Sequence, residues 1–397
     1  MTLLVMPTYS CHLACAYCFE STIGWRMKVK LDYDLDRMME AIARINRLQP
    51  HQEAVLHGGE PLLMPLRDLE RLIAFIRNLG LSVSVQSSCS ILSEEHIKLF
   101  KRYNVRVGCS ADGPPELNVL RGFWPRGKPL EELNRRYREK VQRNIEILAE
   151  EKLLGGVLTI VHRANAGDVE KLRKLVGWIN KLYELGSRYG RLNPMYAVTP
   201  WSKPYELSVD ELYRAYVWMW ENFFQDRPEL DWSPYHDLVA VLLGQERRAL
   251  CWFNGCGFYD APVWTVGPKG EVLSCDRTLG AGMWLRARPL PKTQLLDRKI
   301  RAIALCQTEL AGDRFCHLHK GGCPAEALGG DWRRPSRFWR LWSRLLEYFE
   351  RRLKALAPWL KLASEVPDRL EYIEMVSRGC VWNPFTGRYD CPKGGRG

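Results

Sequence analysis

The chain lacks any stretch of eighteen consecutive apolar residues, so no helix of ordinary transmembrane length is expected. Its opening, MTLLVMPTYS, has neither a basic leading segment nor a small-residue cleavage site, which argues against a secretory signal. A cytoplasmic protein with no membrane partner is expected. Low-complexity tracts and internal repeats are also missing, which sets repeat architectures aside. An even cysteine count is absent too: with 13, complete pairing into disulfides is impossible. In a reducing compartment, clustered cysteines point to metal ligation or redox chemistry. Charge of one sign does not dominate, since 58 Lys and Arg face 46 Asp and Glu for a net +12. That balance favours anionic partners, nucleic acid among them, or an ordinary solvated surface, and is silent on fold.

What is present is alternation. TLLVMP (2–7) is an apolar run of strand length. Residues 33–48 put Leu35, Met38, Met39, Ile42 and Ile45 on one helical face, with Asp34 as a cap. Strand patterns recur at 53–58, 81–86, 105–110, 155–162 and 191–198, and helical ones at 66–79, around Ile97 and Phe100, at 131–152 and at 168–183. The fourth of these helices carries Val169, Leu172, Val176 and Ile179. Six β-then-α units predict an α/β fold, a partial (β/α)6 TIM-like barrel with helices outside and chemistry at the strands' C-terminal ends. After about residue 200 helical patterns fill 208–224 and 235–249, and then cysteines recur. Expected domains are 1–245, the barrel with trailing helices; 246–330, a small Cys-rich domain; and 331–397, C-terminal helices and tail. The helix at 335–357 spaces Trp339, Trp342, Leu346, Phe349 and Leu353 on one face with arginines opposite, either a packing helix or a basic docking face.

PTYSCHLACAYCFE (7–20) places Cys11, Cys15 and Cys18 directly after the first strand. A structural zinc site takes four protein ligands, and His12 is squeezed between two of these thiols. Three thiolates suit an iron–sulfur cube with one iron left open, zinc being the alternative.

These three cysteines, with aromatic Tyr17 before the third, resemble the C-x3-C-x-aromatic-C signature of radical S-adenosylmethionine (radical SAM) enzymes. LHGGEPLL (56–63) is similar to that family's Gly-Gly-Glu motif, and VGCSADGPPELNVLRG (107–122) to its Ser-x-Asp-Gly-Pro segment with a later arginine. The resemblance spans the first 200 residues. It implies a 4Fe–4S cluster on Cys11, Cys15 and Cys18, and S-adenosylmethionine chelating its open iron. Glu60 would meet the ammonium of that ligand, Gly58 and Gly59 would let the backbone approach it, and Arg121 would meet its carboxylate. Ser88 and Ser110 would serve the ribose and Tyr17 the adenine. Each has an ordinary alternative: a turn, a backbone hydrogen bond, a surface arginine. Ser87-Ser88-Cys89 departs from the Thr-Asn-Gly of many relatives, and Cys89 and Cys109 are expected as buried thiols.

Further on, Cys256-x13-Gly270-x4-Cys275 resembles the opening of the auxiliary-cluster domain called SPASM, or its shorter relative twitch. VWTVGPKGEVLSC should form two strands about a Pro-Lys-Gly turn. FCHLHKGGCPAEA (315–327) resembles the closing segment. By resemblance Cys251, Cys256, Cys275 and Cys323 would hold one auxiliary 4Fe–4S cluster. The usual C-x2-C-x5-C-x3-C is missing, because counting back from Cys323 reaches His319, Asp313 and Leu310. Cys306, Cys316, Cys380 and Cys391 could supply a second auxiliary cluster. Alternatively they are unligated, or His319 is a ligand, and zinc in this region stays open.

The resemblance implies oxidative modification or cross-linking of a peptide or protein through a 5′-deoxyadenosyl radical, fed by an external electron donor such as ferredoxin or flavodoxin. Asp276 would be the proton acceptor, or else an exposed turn residue. No room is expected before Cys11 for the extra peptide-recognition domain of some relatives. Modification of RNA or a small molecule, and a non-catalytic metal-binding scaffold, are the competing readings.

Overall fold

In the computed structural model, residues 2–18, 31–254, 264–273, 275, 277 and 291–392 are described, with backbone alone for 254 and 291–298. Among them, nine strands form one sheet: β1 (Thr2–Val5), β2 (Glu53–Leu56), β3 (Ser82–Ser87), β4 (Arg106–Ser110), β5 (Leu154–Val161), β6 (Tyr189–Pro194), β7 (Asp231–Ser233), β8 (Trp264–Val266) and β9 (Val272–Leu273). Their order is β7-β6-β5-β4-β3-β2-β1-β8-β9, with β1 to β6 paired in parallel. Parallel neighbours need crossovers, and the helices Leu35–Leu48, Leu66–Asn78, Glu94–Tyr103, Glu131–Glu150 and Val169–Glu184 provide them. The expected α/β architecture is therefore present. Because β7 and β9 are ends rather than partners, the sheet stays open.

Each crossover helix is set by a cap and an apolar stripe. Asp34 accepts from the Arg37 N–H, Ser93 from the His96 N–H and Asp168 from the Lys171 N–H. Leu35–Leu48 buries Met38, Ala41, Ile42 and Ile45, and Leu66–Asn78 buries Leu69, Leu72, Ile73 and Ile76. Each such aliphatic side chain stabilises the layer by about 1.5–3 kcal/mol. On Val169–Glu184 the buried stripe is Leu172, Leu175, Trp178, Ile179 and Leu182. Val169, expected on that stripe, is 44% exposed at the first position of the helix.

The described residues group into two units, those within 2–232 and 264–277 in one, and 233–254 with 291–392 in the other. The hairpin β8–β9 forms as expected, yet it groups with the first unit and not with the remaining cysteine-rich residues. The reason is pairing: Leu3, Leu4 and Val5 of β1 take Trp264, Thr265 and Val266 as parallel partners.

The second unit contains the helices Tyr235–Leu242, Pro291–Gln307, Trp339–Leu356 and Arg369–Ser377 and the hairpin Val381–Asn383/Arg388–Asp390. The helix expected over 235–249 stops at Leu242, because Gly244 turns left-handed at φ 74° and a short turn at Glu246–Arg248 follows. Trp339–Leu356 buries Leu341, Trp342, Leu345, Leu346 and Phe349, with Trp342 stacked on Trp252 at 5.5 Å. That helix packs through its aromatic face. Among the described residues no helix is long and apolar enough to cross a membrane.

Candidate functional site

The loop after β1 is pinned from two sides. On one side Ala14 and Ala16 donate N–H bonds to the carbonyls of Gly122 and Leu120, and Trp124 N–H returns one to Ala14, so the loop runs beside 120–124 like a strand. On the other, Gly59 N–H donates to Thr8 O and Glu60 N–H to Ser10 O. A Cβ at Gly59 would stand 2.1 Å from the Ser10 carbonyl oxygen, and neither backbone can yield. Gly59 is thus what lets the Gly-Gly-Glu turn lie against the residue preceding Cys11.

The three thiols are outside any disulfide and half-buried. Cys11 Sγ accepts the Leu13 N–H and Cys15 Sγ the Gly122 N–H, each at 3.4 Å. Burial pushes the Cys11 thiol well above its ordinary value, and the charges of Glu60, Cys15 and Cys18 push it the same way. Burial likewise raises Cys15, against the pull of Arg121. Burial of this kind disfavours the thiolate, which a bound cation would stabilise, and the N–H···S bonds favour it as well. Among the described residues no three His, Cys, Asp or Glu side chains close on one point as ligands of a single ion would. Three thiolates can take one iron each of a cluster, whereas a structural zinc ion takes four protein ligands. The residues fit the group.

Glu60 is 1% exposed and its carboxylate is held on both oxygens. Oε1 accepts the Ser87 hydroxyl at 2.7 Å and the Leu62 N–H at 3.2 Å; Oε2 accepts the Ser88 hydroxyl at 2.6 Å and the Ser88 N–H at 3.0 Å. No cation pairs with it among the described residues.

Asp112, fully buried, is the second carboxylate. Its Oδ1 accepts from Arg121 Nε and the Ile160 N–H, both at 2.9 Å. Its Oδ2 accepts the Tyr17 hydroxyl, with His162 Nε2 at 3.3 Å. Burial alone would raise Asp112, but Arg121 and then His162 and Tyr17 outweigh it and hold the acid down at about 2. Burial opposes the Arg121 charge, and Asp112 more than restores it, raising that group. Arg121 also lies over the Tyr17 ring at 5.5 Å.

Cys11, Cys15, Cys18, Gly58, Gly59, Glu60 and Ser88 therefore gather around one loop. Tyr17 and Arg121 meet at Asp112. Ser110 accepts an N–H from Gln86 at 2.9 Å. Ser88, expected at a ribose, spends its only hydroxyl proton on Glu60. Asp112, His162, Ser87 and Ser90 were not singled out by the motifs. Asp112 stood inside the quoted Ser-Ala-Asp-Gly-Pro run, and His162 follows β5 at the strand end where site residues were sought.

Cys89 and Cys109, expected as separate buried thiols, are joined in a disulfide, as are Cys306 with Cys316 and Cys380 with Cys391. The last four do not converge on one point. His319 has both nitrogens engaged: Nε2 lies 2.7 Å from Asp313 Oδ2, and Nδ1 accepts the Gly321 N–H at 3.1 Å. A ligand role for His319 would break both bonds. In the second unit Lys320 Nζ is buried, pairing with Glu246 at 2.7 Å and donating to the Phe253 carbonyl at 3.0 Å. This bond ties the segment before Cys323 to the turn that begins at Cys251. Cys275 follows β9, and Cys256 and Asp276 lie outside the described residues.

Comparison with known proteins bears on this site. Residues 5–176 match the family described as the radical SAM superfamily. The chain is 25% identical over 297 residues to the cysteine-type anaerobic sulfatase-maturating enzyme of Clostridium novyi, covering 70% of this chain and 73% of that one. To the enzyme of the same name from Clostridium perfringens it is 26% identical over 351 residues, covering 81% and 88%. Native anSMEcpe, solved with bound AdoMet and Cp18Cys peptide, shares its fold with a TM-score of 0.68 at 20% identity, covering 90% of this chain and 98% of that one. The cofactors that go with this family are a 4Fe–4S cluster and S-adenosylmethionine. Three thiols outside any disulfide thus lie beside a buried glutamate that has no cation partner among the described residues, inside a stretch, 5–176, that matches the radical SAM superfamily, and the chain is an enzyme.

Proposed function

We propose that this enzyme acts on a peptide or protein, taking a hydrogen atom from a cysteine or serine side chain so that the residue is oxidised or cross-linked. Glu60 carries the part of this reading that concerns S-adenosylmethionine: it is a buried carboxylate stitched to the cysteine loop, with four neutral donors and no counter-cation among the described residues. Its remaining demand is for positive charge, which an ammonium group meets.

A 4Fe–4S cluster held here would supply one-electron reductive cleavage of S-adenosylmethionine, the chemistry that yields a hydrogen-abstracting radical. Cys11, Cys15 and Cys18 would hold that cluster. Glu60 receives the ligand's ammonium, and its fixed carboxylate plane removes an ordering cost on binding. Arg121, anchored by Asp112, is the cation for the ligand's carboxylate, while Tyr17 and Ser110 are assigned to its adenosine. Cys251, Cys256, Cys275 and Cys323 are assigned to an auxiliary 4Fe–4S cluster on their sequence spacing, and Asp276 to the substrate's proton on its place after Cys275. A low-potential donor such as ferredoxin or flavodoxin would deliver the electron, in the cytoplasm.

Peptide chemistry is supported by the sulfatase-maturating relatives, which this chain matches over most of their length. The test uses anaerobically reconstituted enzyme, dithionite, S-adenosylmethionine and a cysteine-bearing sulfatase-type peptide deuterated at the cysteine Cβ. Deuterium in the 5′-deoxyadenosine produced supports the assignment. Unlabelled 5′-deoxyadenosine with an unchanged peptide counts against that substrate.

A further inference from the structure

The Cys11 loop is linked to the Glu60 carboxylate by a chain of three side chains. His12 Nε2 lies 2.8 Å from Ser90 Oγ, Ser90 Oγ lies 3.0 Å from Ser88 Oγ, and Ser88 Oγ donates to Glu60 Oε2 at 2.6 Å. Ser90 is buried and Ser88 half-buried.

Proton counting fixes the direction of this chain. A hydroxyl has one proton, and Ser88 gives its own to Glu60. The contact between Ser88 and Ser90 is then a hydrogen bond only if Ser90 donates. Ser90 has no second proton for His12, so His12 must donate from Nε2. The other tautomer would put a proton on Nδ1, which is buried with no acceptor among the described residues, and would leave only the long Ser90 N–H bond to Ser88 Oγ, at 3.5 Å, between the two serines.

We propose that His12 is a positioning residue for S-adenosylmethionine: acting through Ser90 and Ser88, it fixes the Glu60 carboxylate in the orientation that receives the ligand's ammonium. The inference rests on the reading of Glu60 given above and adds what holds it ready. Ser87 and Leu62 fix Oε1, and the Ser88 N–H fixes one lone pair of Oε2. Besides giving its proton to Oε2, Ser88 Oγ accepts only the long Ser90 N–H bond at 3.5 Å, so the Ser90 hydroxyl is what fixes its acceptor side, as His12 fixes that of Ser90. His12 adjoins Cys11, so the loop that carries the cluster ligands also sets the carboxylate beside it. A ligand bridging both meets two groups already in register.

The test measures the dissociation constant for S-adenosylmethionine in anaerobically reconstituted full-length protein, with iron content determined alongside. His12→Ala is expected to weaken binding by up to about tenfold, the upper end for one neutral hydrogen bond. His12→Gln, which keeps an N–H donor near the Nε2 position, is expected to restore most of the loss. Ser90→Ala should match His12→Ala, and it decides the matter if His12→Ala loses iron, since Ser90 is outside the cysteine loop. Combining His12→Ala with Ser88→Ala should weaken binding no further than Ser88→Ala alone. Wild-type affinity in Ser90→Ala, additive losses in the double variant, or a His12→Gln defect as large as that of His12→Ala would overturn the proposal. Wild-type protein that holds iron but does not bind S-adenosylmethionine would instead overturn the underlying reading of Glu60.

Discussion

Two buried carboxylates stand near the cysteine loop, and they are satisfied in opposite ways. Asp112 has its cation built in: Arg121 sits at 2.9 Å, joined by a tyrosine, a histidine and a backbone N–H. Glu60 has four donors among the described residues and none of them is charged. A buried anion with its counter-ion in place is a structural joint, which here ties the cysteine loop to the ends of β4 and β5. A buried anion solvated only by neutral dipoles is stable enough to fold yet unfinished electrostatically, the condition of a binding group.

Removing each charge should separate these roles. Asp112→Asn leaves Arg121 buried without its partner and is expected to lower unfolding stability by about 3–5 kcal/mol. Chemical denaturation checks this, and an unchanged midpoint would erase the distinction between the two acids. Glu60→Gln keeps the shape, and its main effect should fall on the ligand, weakening S-adenosylmethionine binding by about 10- to 100-fold. Calorimetry on reconstituted protein would measure that loss, and a variant that unfolds as readily as Asp112→Asn would contradict it. Acid sharpens the same contrast. The Asp112 group is held at about 2 against an ordinary 3.8, so its contribution is present above the ordinary value and is lost as pH falls through about 2. It amounts to about 2 kcal/mol and should disappear from the pH profile of Asp112→Asn. The smallest effect is expected from Tyr17→Phe, which removes one donor of four from Asp112 and should cost about 1 kcal/mol of stability.

Legibility in the sequence followed the kind of interaction involved. The six strands and their helices were readable because burial imposes periods of 2 and 3.6, as the stripe Met38, Ile42 and Ile45 shows. The three cysteines and Gly58-Gly59-Glu60 were readable because their spacing lies within one loop or turn. Networks joining distant strand ends were not. The bond from Tyr17 to Asp112 spans 95 positions and that from His12 to Ser90 spans 78, and no local pattern encodes either. The second unit shows the same limit, since its cysteines could be counted but their partners could not be assigned from spacing. With Cys306, Cys316, Cys380 and Cys391 paired as disulfides, we expect reconstituted protein to hold about eight irons per chain, as two 4Fe–4S clusters, and not about twelve.

The central claim is that Cys11, Cys15 and Cys18 together hold the cluster that cleaves the ligand Glu60 receives. Its most direct test is 5′-deoxyadenosine formation from S-adenosylmethionine under dithionite, comparing wild-type protein with Cys15→Ala after identical anaerobic reconstitution. Steady formation by the wild type and none by the variant is the predicted result. Equal formation by both would contradict the account.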